Sequence, residues 1–183
     1  MINQIDVRAV LSRSVAEFHY DLVTRPTGRA VRTSIEAELG RYEGMNVVVL
    51  DFSAVRLIDW SCADEIVAKL LRSSLTPGAS AAELFFVIRG LSEHNAELLE
   101  EVLLRHQLAM VLEEGGTLRL LGWVAERARL AFEHLTALGS AAADEMAADL
   151  SCSLDEAKTL LDDLVGQRLV LRAAERYRPL SAA

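Results

Sequence analysis

Apolar positions along the chain switch between a period near two and a period near three and a half, and the switches mark its elements. Residues 5–11 (Ile-Asp-Val-Arg-Ala-Val-Leu) begin by alternating apolar and polar, which predicts a short half-buried strand, followed by a helix over Ser14–Val23. Thr24-Arg25-Pro26-Thr27-Gly28 punctuates the chain, because proline fixes φ and keeps the residue before it out of the helical region. Ala30, Val31, Ile35 and Leu39 then recur at spacings that predict an amphipathic helix over 28–41. Val47-Val48-Val49-Leu50-Asp51-Phe52 is a continuous β-branched run, the signature of a strand covered on both faces. A second such run, Leu84–Ile88, follows a Pro77-Gly78 break. Between the two, Ala63, Ile66, Val67, Leu70 and Leu71 repeat at helical spacing, so the stretch reads as a βαβ unit. A helix over 92–106 turns Leu98, Leu99, Val102 and Leu103 inward. Leu108–Leu112 and Thr117–Leu121 then flank Glu113-Glu114-Gly115-Gly116, a hairpin turn.

From Trp123 the pattern changes. Val124, Ala128, Ala131, Phe132 and Leu135 form one stripe of a helix over 123–138, and a short helix Ala143–Leu150 follows. Ser153 with Glu156 three residues on is a capping box that starts a helix over Leu154–Val165, which Gly166 closes. Leu169–Arg172 and Tyr177–Leu180 read as two short strands around Ala174-Glu175-Arg176. Three helices and a two-stranded ribbon are the winged-helix plan. The expected architecture is an α/β domain over 1–122 and a small winged-helix domain over 123–183.

Composition narrows the class. Of 183 residues, 51% are hydrophobic, only 5% aromatic and 3 are proline, which excludes a disordered or collagen-like chain. The 19 basic residues face 27 acidic ones, and a net charge of −8 argues against a basic nucleic-acid coat. The two cysteines, Cys62 and Cys152, are too few for a disulfide scaffold and predict a reducing, cytoplasmic compartment. Met1 leads into Ile-Asn-Gln-Ile-Asp with no basic and apolar leader, and no apolar run approaches membrane-spanning length, so neither secretion nor a membrane is expected.

Signatures of catalysis are missing from the pattern. His19, His94, His106 and His134 are scattered, the cysteines form no C-x-x-C pair, and no glycine-rich phosphate loop occurs. No catalytic residue, metal or cofactor is therefore expected. The adjacent acids Asp64-Glu65, Glu100-Glu101 and Asp162-Asp163 read as solvated helix faces, since neighbouring side chains on a helix diverge. Cys62 reads as a small buried hydrophobe.

The informative segment is Val49–Glu65. A buried strand ends at Asp51-Phe52-Ser53, and a short loop leads to Asp59-Trp60-Ser61-Cys62-Ala63-Asp64-Glu65 at a helix start. A serine there sits among backbone N–H groups without helical partners, near the positive end of the dipole. A phosphate on it adds nearly two charges to the surface, and Asp59 would repel that phosphate. The plain alternative is that Asp59 or Ser61 simply caps the helix. Trp60 either covers the edge of the local core or anchors a partner or dimer surface.

These residues resemble the STAS domain, the fold of bacterial anti-sigma-factor antagonists and of sulfate-transporter tails. In that family a buried strand ends in Asp-hydrophobic-Ser, and a loop leads to Asp-Ser-Ser-Gly, whose second Ser is phosphorylated. Asp59 matches the Asp and Ser61 the phosphorylated Ser, while Trp60 replaces the first Ser and Cys62 the Gly. Ser61–Glu65, with Arg25 and Gly28-Arg29 upstream, is also similar to a STAS-like subfamily of bacterial regulators. The resemblance spans 1–122 and is sharpest over 49–65. It implies a mixed sheet with helices and a non-catalytic regulator. Asp59, Trp60, Ser61, Cys62 and Asp64 would form the partner-binding surface, and Ser61 is the phosphorylation candidate. The implied partner is an anti-sigma factor or a histidine-kinase-like ATPase.

The C-terminal segment raises a separate question. DNA readout needs Arg, Lys or amide side chains on a recognition helix. The candidate helix Ser153–Gly166 offers Lys158 against Asp155, Glu156, Asp162 and Asp163, and 123–183 holds 7 basic and 10 acidic residues. Only the ribbon is basic, through Arg172, Arg176 and Arg178. The expectation is a winged helix turned to protein contact or homodimerisation. A DNA-binding regulator in which the STAS-like part is the sensor is the alternative, and a structural subunit of a sensory assembly is a third reading.

Overall fold

The computed structural model describes residues 1–15, 21–76, 78 and 82–180. In chain order, β1 (Ile2–Asp6) and α1 (Val7–Ser14) precede β2 (Asp21–Leu22), α2 (Arg25–Leu39), β3 (Gly44–Asp51) and β4 (Leu57–Ile58). A continuous helix follows: α3 (Trp60–Ala63), a π-helical turn (Asp64–Ala68) and α4 (Lys69–Leu75). Then come β5 (Ala82–Arg89), α5 (Glu93–His106), and the hairpin of β6 (Ala109–Glu114) and β7 (Thr117–Gly122). The remainder is α6 (Glu126–Leu138), β8 (Ala141–Ala142), α7 (Ala143–Asp149), α8 (Leu154–Gly166), β9 (Val170–Ala173) and β10 (Arg176–Pro179).

The main sheet runs β1-β3-β5-β6-β7. The first three pairings are parallel and the β6–β7 hairpin is antiparallel, so the protein is α/β with a mixed sheet. Each parallel connection steps across the sheet in the same direction. Crossovers of one hand that always step the same way leave their helices on one face. Accordingly α1, α2, α3–α4 and α5 share a single apolar cluster with Ile5, Val48, Leu50, Phe86, Ile88 and Met110. The opposite face would then be bare, yet parallel strands are apolar on both sides.

Residues beyond Trp123 cover it. Phe132 and Leu135 of α6, Met146 of α7, Leu161 and Leu164 of α8, and Tyr177 of β10 pack with Val47, Val49, Phe85, Val87, Val111 and Leu120 in one second cluster. Arg168 sits on this seam, donating to the Leu84 carbonyl at 2.9 Å with its guanidinium 5.8 Å from the Phe85 ring centre. Arg129 donates to the carbonyls of Leu120 and Gly122, and Glu100 accepts the Gly122 N–H. These side chains occupy the outer edge of β7, where a foreign strand would otherwise pair.

The N-terminal elements differ from the sequence pattern. The predicted strand over 5–11 is mostly helix: Val7, Val10 and Leu11 are all buried, a helical spacing, and Asp6 caps α1 by accepting from the Ala9 N–H at 3.0 Å. Of the helix expected over Ser14–Val23, residues 16–20 lie outside the described residues, while Asp21–Leu22 is a strand parallel to β4. The next helix starts at Arg25 and not at 28, because a proline in the first turn has no N–H to forfeit. Pro77 of the expected break, and His19, also lie outside the described residues.

Candidate functional site

The site is assembled where α2 and α3 begin side by side. Asp59 is the N-cap of α3. Its Oδ1 accepts the Cys62 N–H and the Ser61 hydroxyl, each at 2.8 Å. Its Oδ2 accepts the Thr24 N–H at 2.8 Å, and its own N–H donates to the Leu22 carbonyl. One carboxylate therefore caps a helix, orients Ser61 and ties down the entry to α2. Burial alone would raise the Asp59 carboxyl. The two N–H groups and the Ser61 hydroxyl outweigh it and hold the group below the ordinary carboxylate range.

Thr24 is the most constrained backbone position in this junction. Its φ of 74° with ψ of 139° is a region that β-branched residues avoid. It is held from three sides: Asp59 takes its N–H, while its carbonyl accepts the Gly28 N–H at 3.1 Å and the Cys62 thiol at 3.1 Å. The two helices touch through Gly28, where an added Cβ would stand 2.9 Å from the Cys62 Cα and 3.0 Å from the Glu65 Cβ. Cys62 is 0% exposed, and burial with the nearby Asp59 charge pushes its thiol up to about 12. It acts as the buried contact expected of it, and it offers no surface to a partner.

One turn further on, Asp64 and Glu65 correct the expectation of a solvated acidic pair. They are 6% and 0% exposed. The helix widens here into a π turn in which the Lys69 N–H reaches the Asp64 carbonyl five residues back. That turn narrows the divergence of adjacent side chains, and both carboxylates face inward to cations from other elements. Arg25 Nη1 donates to Asp64 Oδ2 at 2.7 Å and Glu65 Oε1 at 2.9 Å. Glu65 also pairs with Arg32 at 3.4 Å and with Lys69, and His106 Nε2 meets Asp64 Oδ1 at 2.7 Å. Burial would raise both carboxyls, but these partners outweigh it and hold them below the usual range. Arg72 Nη2 lies 2.8 Å from His106 Nδ1. A guanidinium can only donate, so Nδ1 accepts and Nε2 carries the hydrogen toward Asp64.

Trp60 is half-buried against the main core and closes its edge, with the Arg105 guanidinium 5.3 Å from its ring centre and His106 6.3 Å away. Ser61 is half-buried. In the preceding loop Arg56 and Leu57 are exposed, and Arg56 pairs with Asp21 at 2.6 Å. Asn95, buried in the first turn of α5, fixes that loop by accepting the Ile58 N–H and donating to the Arg56 carbonyl. The sequence pattern expected Asp59, Trp60, Ser61, Cys62 and Asp64 at one surface. The structure keeps Asp59, Trp60 and Ser61 there, buries Cys62 and Asp64 beneath it, and adds Thr24, Arg32, Glu65 and His106, which the pattern missed as site residues. Gly28 inside an amphipathic helix was the available signal for the close helix contact.

The C-terminal candidates lie apart from this cluster. Lys158 is exposed on α8, on a face shared with Asp155, Glu156, Asp162 and Asp163. Arg172 pairs with Asp162 at 3.4 Å and Arg176 with Glu145 at 2.9 Å, and Arg178 is exposed. Among the described residues no group of three or more His, Cys, Asp or Glu is placed to hold a metal ion, and no helix is long and apolar enough to cross a membrane. No family model matches the chain, and a search of curated proteins returns no match.

Proposed function

We propose that the protein is a non-catalytic, STAS-like interaction switch of the bacterial cytoplasm. Its partner-facing element is the loop and helix start around Asp59, Trp60 and Ser61. The observation that carries this reading is the placement of the Ser61 hydroxyl: half-buried, in the first turn of a helix, and bonded to the carboxylate that also caps that helix and holds Thr24. A kinase partner would supply a nucleoside triphosphate. Ser61 Oγ attacks the terminal phosphorus, the bond to the diphosphate breaks, and the hydroxyl proton leaves to a base on the kinase. The product places two negative charges against Asp59 and removes the hydrogen bond between them. The implied partner is an anti-sigma factor or a histidine-kinase-like ATPase, and the two free cysteines suit a reducing compartment. The test is a pull-down from native lysate with wild type, Ser61→Ala and Ser61→Asp, alongside mass spectrometry of Ser61. Capture lost only by Ser61→Asp supports the switch. Equal capture by all three, with Ser61 never phosphorylated, removes it.

A second reading is favoured by one observation. The order α6-β8-α7-α8-β9-β10, with strands arranged β8-β10-β9, supports a winged helix. The acidic face of α8 and the pairing of Arg172 and Arg176 to carboxylates argue for protein contact or homodimerisation over DNA, since such a surface repels phosphates. A duplex retarded in a gel at physiological salt would reverse that preference.

A further inference from the structure

We propose that Thr24 and the first turn of α2 form a strained latch, closed by Asp59 and Cys62 and opened by negative charge at Ser61. The inference rests on Ser61 being the modified residue and adds what its modification moves. Thr24 holds a backbone conformation that a β-branched residue abandons when free to do so. Its N–H is held by Asp59 Oδ2, and its carbonyl by the Cys62 thiol. The other oxygen of the same carboxylate holds Ser61. A charge on Ser61 therefore repels the carboxylate that holds the Thr24 N–H.

The fold allows the latch to open without leaving either buried carboxylate unpartnered. When Arg25 leaves with the first turn of α2, Asp64 keeps His106, and Glu65 keeps Arg32 and Lys69. Gly28 leaves no side chain between the helices, so separation breaks a backbone contact and not an interlocked one. The opening uncovers Cys62 and frees the Arg25 guanidinium at the rim of the Ser61 surface.

Hydrogen exchange of the full chain tests this directly, following amides 22–25 and 27–29 together with thiol labelling of Cys62. Ser61→Glu is expected to speed exchange of these amides, and labelling of Cys62, by about tenfold, leaving β3 and β5 unchanged. Thr24→Gly removes the strain, and the same amides should exchange several-fold more slowly than in wild type. Wild-type exchange in Ser61→Glu overturns the latch, as does equal or faster exchange in Thr24→Gly. If Ser61→Glu loses its partner while exchange stays at wild-type rates, the latch falls and the switch stands. If exchange rises while capture is unaffected, the latch stands and the partner reading of Ser61 falls.

Discussion

At the scale of single residues, side-chain chemistry in this protein is decided by neighbours distant in sequence. Asp59 was legible as a cap, because an acid before an apolar helical run usually caps it. That its second oxygen holds Thr24 was not legible, since those residues lie 35 positions apart. Cys62 shows the consequence for reactivity. A cysteine at a helix start can have a lowered pKa, but this one is buried beside a carboxylate and pushed up to about 12. Folded protein at pH 8 should therefore expose one reactive thiol, Cys152, which is half-buried. Cys62 of the wild type should react far more slowly than Cys152 until denaturant is added. Two equally fast thiols in a labelling time course would contradict this.

At the scale of elements, two features govern how α2 meets the long helix α3–α4. The first is Gly28, whose missing side chain allows backbone contact with Cys62. Gly28→Ala is expected to destabilise by about 1–3 kcal/mol, because the opposing atom is backbone and cannot swing away. Urea denaturation measures it, and an unchanged midpoint would show that the seam has slack. The second is the π turn. Strict helical geometry sends Asp64 and Glu65 apart, which is why adjacent acids read as a solvated face. The wider turn and the donors Arg25, Arg32, Lys69 and His106 make them buried anchors instead. Three of those four donors come from α2 and α5, so no local pattern announces them.

At the scale of the whole molecule, the sheet explains why the acidic C-terminal segment packs against it. Four parallel strands with all their connecting helices on one side leave Val47, Val49, Phe85, Val87, Val111 and Leu120 to be covered by something else. Residues 126–180 do this, with Arg168 and Arg129 bonded to strand carbonyls. A chain ending at Gly122 is thus expected to aggregate or bind hydrophobic dyes, as checked by light scattering after size-exclusion chromatography. A monodisperse, cooperatively unfolding 1–122 fragment would show that this face tolerates water. The net charge of −8 acquires a location at this scale. Its C-terminal share lies partly on the exposed face of α8, the surface that would have to approach DNA.

Sequence alone determined what depends on local periodicity and local chemistry: the two β-branched strands, the helices α5 to α8, the hairpin, and the Asp59–Ser61 helix start. Burial patterns and caps operate over a few residues, so they are written into the order of the chain. Only the tertiary structure decided that residues 7–14 are helix, that Thr24 is strained, that Asp64 and Glu65 are buried, and that the C-terminal helices complete the sheet. Each depends on a partner brought from a distant segment. Apolar periodicity shows that a face must be covered, but not what covers it.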